Sequence, residues 1–250
     1  MFDNFFRNII DFFIPPKCAV CKELSDNLIC DSCKAGFIPI TEPFCKKCGM
    51  PLDISEYNDS ICADCRGKEW HFERAVSAGV FTGTLREAVL NLKYNDMVRT
   101  LSQDLAKFMI DNITLPENID YFTPVPIHKN MEKVRGYNQS ILIAGHLSAH
   151  YEIPVIVDLI QKVTDTPLQH FLTREQRQSN INKAFKVDFK LKDENIAIID
   201  DVFTTGMTAD ACARALKRAG AKNVYVLSVA RAVSKDFILK YKQIVKDTAE

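Results

Sequence analysis

Apolar positions follow different rhythms in successive parts of the chain. In residues 2 to 13, Phe2, Phe5, Phe6, Ile9, Ile10, Phe12 and Phe13 fall at helical spacing, and Pro15-Pro16 closes the run. The pattern predicts an amphipathic helix over residues 1–16. A stripe of this kind docks on the protein's own core, or makes a peripheral contact with a membrane or a partner. Residues 17–70 have turn residues and little apolar periodicity, so they cannot bury a large core and need a staple. From about residue 75, "FTGTLREAVLNLKY" restores helical spacing through Leu85, Val89, Leu90 and Leu92, with Thr84 as the expected N-cap. "RTLSQDLAKFMIDNI" reads as a second helix.

Beyond residue 119 short apolar runs alternate with amphipathic ones. "IDYFTPVPIH" predicts a strand ending in a Pro-rich turn, and "NQSILIAGHLSAHY" a helix. "PVIVDLIQKV" and "NKAFKVDF" predict strands on either side of a long polar segment. "NIAIID" predicts a buried strand, as a short apolar run with β-branched residues. "TADACARALKRAG" is a helix closed by Gly220, and "NVYVLSVAR" is another buried strand. The alternation predicts a parallel sheet with helices on both faces over residues 75–250.

With 250 residues, the chain accommodates one α/β domain and a small module. Its 32 basic and 32 acidic residues cancel, so overall charge makes no case for nucleic acid. "MFDNFFRNIIDFFIPPKC" lacks a basic leader and a small-residue cleavage site, and its apolar stretch is too short to span a bilayer. A cytoplasmic chain with reduced thiols is expected.

Cysteine usage changes the picture for residues 17–70. Eight of nine cysteines form C-x-x-C pairs: Cys18/Cys21, Cys30/Cys33, Cys45/Cys48 and Cys62/Cys65. Each two-residue gap turns both thiolates toward one point, and two such pairs supply the four ligands of a structural zinc. Eight cysteines make two closed sites with no position left for water. No thioredoxin-like βαβ pattern surrounds the pairs, which argues against redox chemistry. Sequential grouping and a cross-braced grouping both satisfy the spacing. Residues 14 to 70 hold seven Lys/Arg against nine Asp/Glu, which favours a folding staple or protein contact over DNA binding. Cys212, the ninth, reads as a small buried residue of a helix.

"IAIIDDVFTTGMTADACARAL", residues 196 to 216, carries the clearest chemistry. Asp200 and Asp201 stand at the carboxyl end of a buried parallel strand, where α/β sheets bind ligands. Adjacent carboxylates repel unless they meet cations or hydroxyl donors. The following "VFTTGMT" brings three threonine hydroxyls, a glycine and backbone N–H groups to a helix N-terminus, which favours an anion. Hydroxyl acceptors beside an anion cradle match the two parts of a ribose phosphate.

"IAIIDDVFTTGMT" resembles the phosphoribosyl pyrophosphate (PRPP) motif of type I phosphoribosyltransferases. "PVPIHKNMEKVRGYNQS", "DTPLQHFLTREQRQSNINKAFKV" and the cysteine module extend the likeness, so that almost the whole chain resembles the ComF family and its GntX-like branch. The resemblance implies a type I phosphoribosyltransferase fold behind a double zinc ribbon. It implies that Asp200 and Asp201 take the ribose hydroxyls, directly or through Mg2+, and serve as the catalytic pair if the protein is an enzyme. Thr204, Thr205, Gly206, Met207 and Thr208 would hold the 5′-phosphate. Arg135, Gly136 and Tyr137 would form the pyrophosphate loop, with Lys129 and Lys133 beside it. Thr166 to Asn182 would stand in the place of the flexible hood, with Arg174 and Arg177 able to reach an anion. Because residue 2 is Phe, the N-terminal cysteine of the glutamine-hydrolysing relatives is not expected here.

Two function classes follow. One is a phosphoribosyltransferase with an unidentified acceptor. The other, which the family resemblance implies, is a protein of natural transformation that handles incoming single-stranded DNA with helicase and recombination partners, keeping PRPP and Mg2+ as ligands. Residues 121 to 190 hold nine Lys/Arg against six Asp/Glu, with Tyr121, Phe122, Tyr137, Tyr151 and Phe171 among them. Arg135, Arg174 and Arg177 are the candidate nucleic-acid contacts in this basic, aromatic region.

The cysteine spacing predicts two zinc ions per chain. Metal analysis of purified protein should return about two equivalents, four thiolates being needed for each. One equivalent or none would sink the two-site reading.

Overall fold

The computed structural model describes residues 16–52, 60–95, 99–163, 184–234 and 237–238. Four parallel strands form the sheet: β1 (Arg74–Val80), β2 (Tyr121–Pro124), β5 (Asn195–Phe203) and β6 (Asn223–Arg231), in the order β1-β6-β5-β2. Two short strands between β2 and β5, β3 (Gln161–Lys162) and β4 (Phe185–Lys186), pair antiparallel as a separate ladder. The fold class expected from the sequence is the one observed. The phenylalanine stripe of residues 2 to 13 lies outside the described residues.

The helices divide between the two faces. After a short helix in the cysteine module, α1 (Asp31–Ala35), come α2 (Gly83–Tyr94), α3 (Leu101–Asn112), α4 (Lys129–Arg135), α5 (Gln139–Tyr151) and α6 (Met207–Ala219). Leu85, Val89 and Leu92 of α2, Leu101, Leu105 and Met109 of α3, and Ile143 and Leu147 of α5 share one core with Ala197 and Ile199 of β5. Ala209, Cys212, Ala213 and Leu216 of α6 fill the other core with Ile196 and Ile198, the opposite-facing residues of the same strand. The alternation along β5 is the period-2 geometry of a strand buried on both faces. Burial pushes the Cys212 thiol well above its ordinary range, in keeping with an inert packing residue.

Strand β1, which the sequence pattern did not bring out, organises the cysteine module. It is an edge strand, and residues 38–40 cover that edge. The Ile40 N–H donates to the Ala78 carbonyl at 2.9 Å, and the Val80 N–H to the Ile38 carbonyl at 2.8 Å. Gly79 is needed for this approach, because a Cβ there would lie 2.8 Å from the Ile38 oxygen and 2.8 Å from Leu85. The covering segment lies between the two cysteine clusters, and each cluster lands on a different face. Cys18 and Cys33 belong to the core of α2 and α3, whereas Cys45, Cys48, Cys62 and Cys65 belong to the core of α6.

Three expectations need correction. Thr84 does not cap α2: the N-cap position is Thr82, with no side-chain cap bond, and the Thr84 hydroxyl donates instead to the Cys33 carbonyl at 2.8 Å. A tertiary acceptor from the cysteine module has replaced the local one. "PVIVDLIQKV" is not one strand: it gives a parallel bridge from Val155 to Phe122 and the two residues of β3. Among its described residues "NKAFKVDF" likewise contributes only β4.

The four thiols of Cys18, Cys21, Cys30 and Cys33 lie within 4.8 Å of one another, as do those of Cys45, Cys48, Cys62 and Cys65. The grouping is therefore sequential. Backbone N–H groups already point at the sulfurs, Cys30 to Cys18 at 3.4 Å and Cys62 to Cys45 at 3.3 Å. A bond from the Cys48 thiol, helped by the Cys62 N–H and opposed by burial, lowers Cys45 to about 4. The same contact and burial push Cys48 far up. So crowded a set of thiols cannot ionise together without a cation at its centre, and the donor set fits structural zinc.

The two clusters differ in access. Cys21 is exposed and Cys30 partly so, whereas Cys45, Cys48, Cys62 and Cys65 are all buried. Excess of a competing chelator should therefore remove about one zinc equivalent quickly and the second only with global unfolding, since access decides the rate. Release of both in a single phase would contradict the unequal burial.

Candidate ligand site

The topology sets where a ligand would sit. Strand β5 connects through α6 to β6 on one side, whereas β2 connects through α4 and α5 to Val155 on the other. The connections leave adjacent strands in opposite directions and on opposite faces. A crevice must open beyond the carboxyl ends of β5 and β2, which is where open α/β sheets bind ligands.

Asp200 and Asp201 lie near the carboxyl end of β5, which runs on to Phe203. Asp201 is 3% exposed and forms an ion pair with the Lys93 ammonium, Oδ2 to Nζ 2.9 Å. Asp200 is partly exposed and accepts the Asp201 N–H at 2.9 Å. Burial of its carboxyl, then the neighbouring Asp201 charge, pushes Asp200 up to about 8, while Lys93, the Asp201 N–H and the Ser140 hydroxyl oppose the rise. Among the described residues the pair thus has one carboxylate neutralised in place and one without an ion-pair partner. A divalent cation or hydroxyl donors at Asp200 would supply countercharge that the described residues do not.

The loop after β5 is built for close approach. Thr204, Thr205 and Thr208 are exposed, and Gly206 is the buried left-handed residue (φ 77°) that starts α6. A Cβ at Gly206 would lie 2.7 Å from Phe203 and 2.9 Å from two ring atoms of Trp70, so only glycine fits. The Met207 N–H reaches the Thr205 hydroxyl at 3.5 Å. Asp210, in the first turn of α6, is occupied by His71: it accepts the His71 N–H at 2.7 Å, with the ring Nδ1 3.2 Å from both carboxylate oxygens. The chain leaving the second cysteine cluster is therefore the floor of the loop.

The facing wall is α4 and its cap. His128 caps α4 through Nδ1, and Gly136 ends the helix in the left-handed region at φ 72°. Arg135 donates to the Gln139 side chain at 2.6 Å and lies 5.3 Å from the centre of the exposed Tyr94 ring. Tyr137 is buried, and its hydroxyl donates to the Leu92 carbonyl, so it braces this wall from beneath. Lys129 and Lys133 are exposed on α4. The end of α2 thereby joins both halves of the site, with Leu92 holding Tyr137, Lys93 holding Asp201 and Tyr94 meeting Arg135. Between α4 and β3 a cavity of about 580 Å³ opens, lined in part by His128, Lys129, Asn138, Asp158 and Lys162.

Of the residues expected from the sequence, the structure places Asp200 and Asp201 in β5, the 204–208 loop directly after it, and Arg135 and Gly136 at the end of α4. Arg174, Arg177 and the segment from Thr166 to Asn182 lie outside the described residues. Sequence reasoning missed Lys93, Trp70 and His71. Their signals were a lysine closing an amphipathic helix and an aromatic pair just past the last cysteine, neither of which names a partner.

The chain is similar to known proteins over most of its length. The double zinc ribbon domain family matches residues 9–66. Competence protein F of Haemophilus influenzae is 27% identical over 230 residues, covering 86% of this chain and 97% of that protein. DNA utilization protein YhgH of Escherichia coli K12 is 26% identical over 231 residues, covering 88% and 99%. Among solved structures, the glutamine PRPP amidotransferase of B. subtilis superposes with a TM-score of 0.37 at 18% identity, over 51% of this chain and 26% of that one.

The raised Asp200 has a consequence for stability. In the folded state it keeps its proton up to about pH 8, whereas an unfolded aspartate loses it near pH 4. Between those values the folded state binds more protons, so this group makes stability fall as pH rises. In magnesium-free buffer Asp200→Asn should raise Tm at pH 8 by about 2–4 °C, roughly 1 kcal/mol, and leave it unchanged near pH 4. Thermal melts across that range check it; a destabilised variant at pH 8 would contradict the assignment.

Proposed function

The chain belongs to the ComF family, and we propose that it acts in the use of DNA taken up by the cell, handling single-stranded DNA while its sheet carries a PRPP–Mg2+ site. The observation behind this reading is the strand-end pair. Among the described residues Asp200 has no ion-pair partner, Asp201 is fixed by Lys93, and both adjoin a glycine-centred loop whose hydroxyls are exposed. That combination suits a ligand with vicinal hydroxyls and a phosphate. Asp200 and Asp201 would take the ribose and its cation, and residues 204–208 the 5′-phosphate. Bound Mg2+ would supply charge neutralisation at the pyrophosphate. The zinc clusters act as folding elements, since six of their eight cysteines are buried in the two cores of the sheet.

DNA contact is assigned to the basic segment that contains Arg135, Arg174 and Arg177. With no base-reading motif, the contact would be mainly to phosphate and sensitive to salt. The names of the relatives, a competence protein and a DNA utilization protein, support the DNA role. A second reading, transfer of ribose 5-phosphate from PRPP to an acceptor, draws on the 580 Å³ cavity beside the site, which is large enough for a small acceptor. Such a reaction would rest on positioning and charge neutralisation by the same residues.

Titration with PRPP plus Mg2+ and with single-stranded DNA, separately and together, tests the proposal. PRPP should bind, and Asp200→Ala/Asp201→Ala should abolish its binding with the fold intact. DNA affinity should fall steeply with salt, vary little with sequence and weaken when PRPP is present. DNA binding retained by Arg135→Ala/Arg174→Ala/Arg177→Ala and unmoved by PRPP would refute the placement of the DNA site.

A further inference from the structure

Arg231, the last residue of β6, is a charged residue where the strand pattern calls for an apolar one. It is 5% exposed. Its guanidinium lies 4.8 Å from the centre of the Phe203 ring, and Nη1 donates to the carbonyls of Phe203 (3.1 Å), Thr204 and Ala232 (2.9 Å). Nε is buried without an acceptor. No carboxylate among the described residues forms an ion pair with it. A buried guanidinium that among the described residues is compensated by carbonyl dipoles and one aromatic ring is costly to keep unless it serves something nearby.

What it holds is the start of the phosphate loop. In a trans peptide the C=O and the following N–H point in opposite directions. The Phe203 carbonyl also accepts the Ala232 N–H at 3.0 Å, so Arg231 reinforces that peptide and by itself holds the Thr204 carbonyl; with both carbonyls turned inward, the N–H groups of Thr204 and Thr205 point away from it. Neither N–H has a protein acceptor among the described residues, and both residues are exposed. The same contact also places a permanent positive charge directly behind those amides. Peptide orientation and charge therefore act in the same sense.

We propose that Arg231 is a positioning residue for anion binding: it aims the Thr204 and Thr205 amides at a ligand phosphate and supplies part of the countercharge from behind. The inference rests on the ribose-phosphate reading of this site. It separates Arg231 from the residues that touch ligand, since the guanidinium is buried under the loop and bonded to its backbone.

The test uses the full zinc-loaded chain, with ribose 5-phosphate and PRPP, each with Mg2+, as probes. Arg231→Met should weaken both by a similar factor of about tenfold or more, the size of one lost charge-assisted interaction, with zinc content unchanged. Arg231→Lys, which keeps the charge and can reach carbonyls, should recover most of the affinity. If wild-type protein binds neither probe, the ribose-phosphate reading fails and this inference with it. If wild type binds and Arg231→Met binds equally well, the site stands and Arg231 has no part in it. A Lys variant as weak as the Met variant overturns the charge account. Should Arg231→Met fail to fold, backbone amide exchange in wild type decides: the Thr204 and Thr205 N–H groups should become protected when probe is added, and continued fast exchange at saturation overturns the proposal.

Discussion

The covered edge of β1 is the constraint on which the other features depend. An open strand edge exposes unpaired backbone groups, and here residues 38–40 satisfy them. Because this segment lies between the two cysteine clusters, pairing it with β1 sends one cluster to each face of the sheet. The clusters then complete the cores that α2, α3 and α5 form on one side and α6 on the other. The two cysteine clusters, whose donor sets fit zinc, thus join the α/β core at two places, and the small module is not packed as a separate bead.

That arrangement reaches the ligand site through a short chain of contacts. From Cys65 the backbone passes to Trp70, which fills the space that a side chain at Gly206 would need, and to His71, which binds Asp210. Phe72 continues the stack, 4.9 Å from Trp70 and 5.9 Å from Phe203. Lys217 and Glu73 add an ion pair at 3.0 Å that is half-exposed and so of small weight. The loop that would cradle a phosphate is held from below by the second cluster's own exit segment and from behind by Arg231. A loop with left-handed glycine geometry and exposed amides has little stability of its own, and this support keeps it in one conformation.

Charge at the crevice is arranged in an asymmetric way. Lys93 neutralises the deeper carboxylate, Asp201, and leaves the shallower one, Asp200, raised by burial and by its neighbour. Had each aspartate its own lysine, a cation would have nothing to gain there. The single lysine fixes the geometry of the pair and leaves room for one more positive charge.

Features carried by residues close in sequence were legible without a structure. Two-residue gaps identify each cysteine pair, since the ligands of a knuckle are four positions apart at most. The aspartate pair, the threonine–glycine loop and the amphipathic α6 are contiguous, so their order alone describes a strand, an anion cradle and a helix. Strand β1 escaped notice because "RAVSAGV" is short and rich in small residues, and its partner β6 is about 150 residues away. The grouping of thiols, the faces they occupy, the Lys93 contact, the His71 clasp 139 residues from Asp210 and the role of Arg231 were decided by tertiary structure. The physical reason is that local pattern determines which groups a segment presents, whereas the partner of a buried charge or strand edge depends on which distant segments the sheet order brings beside it.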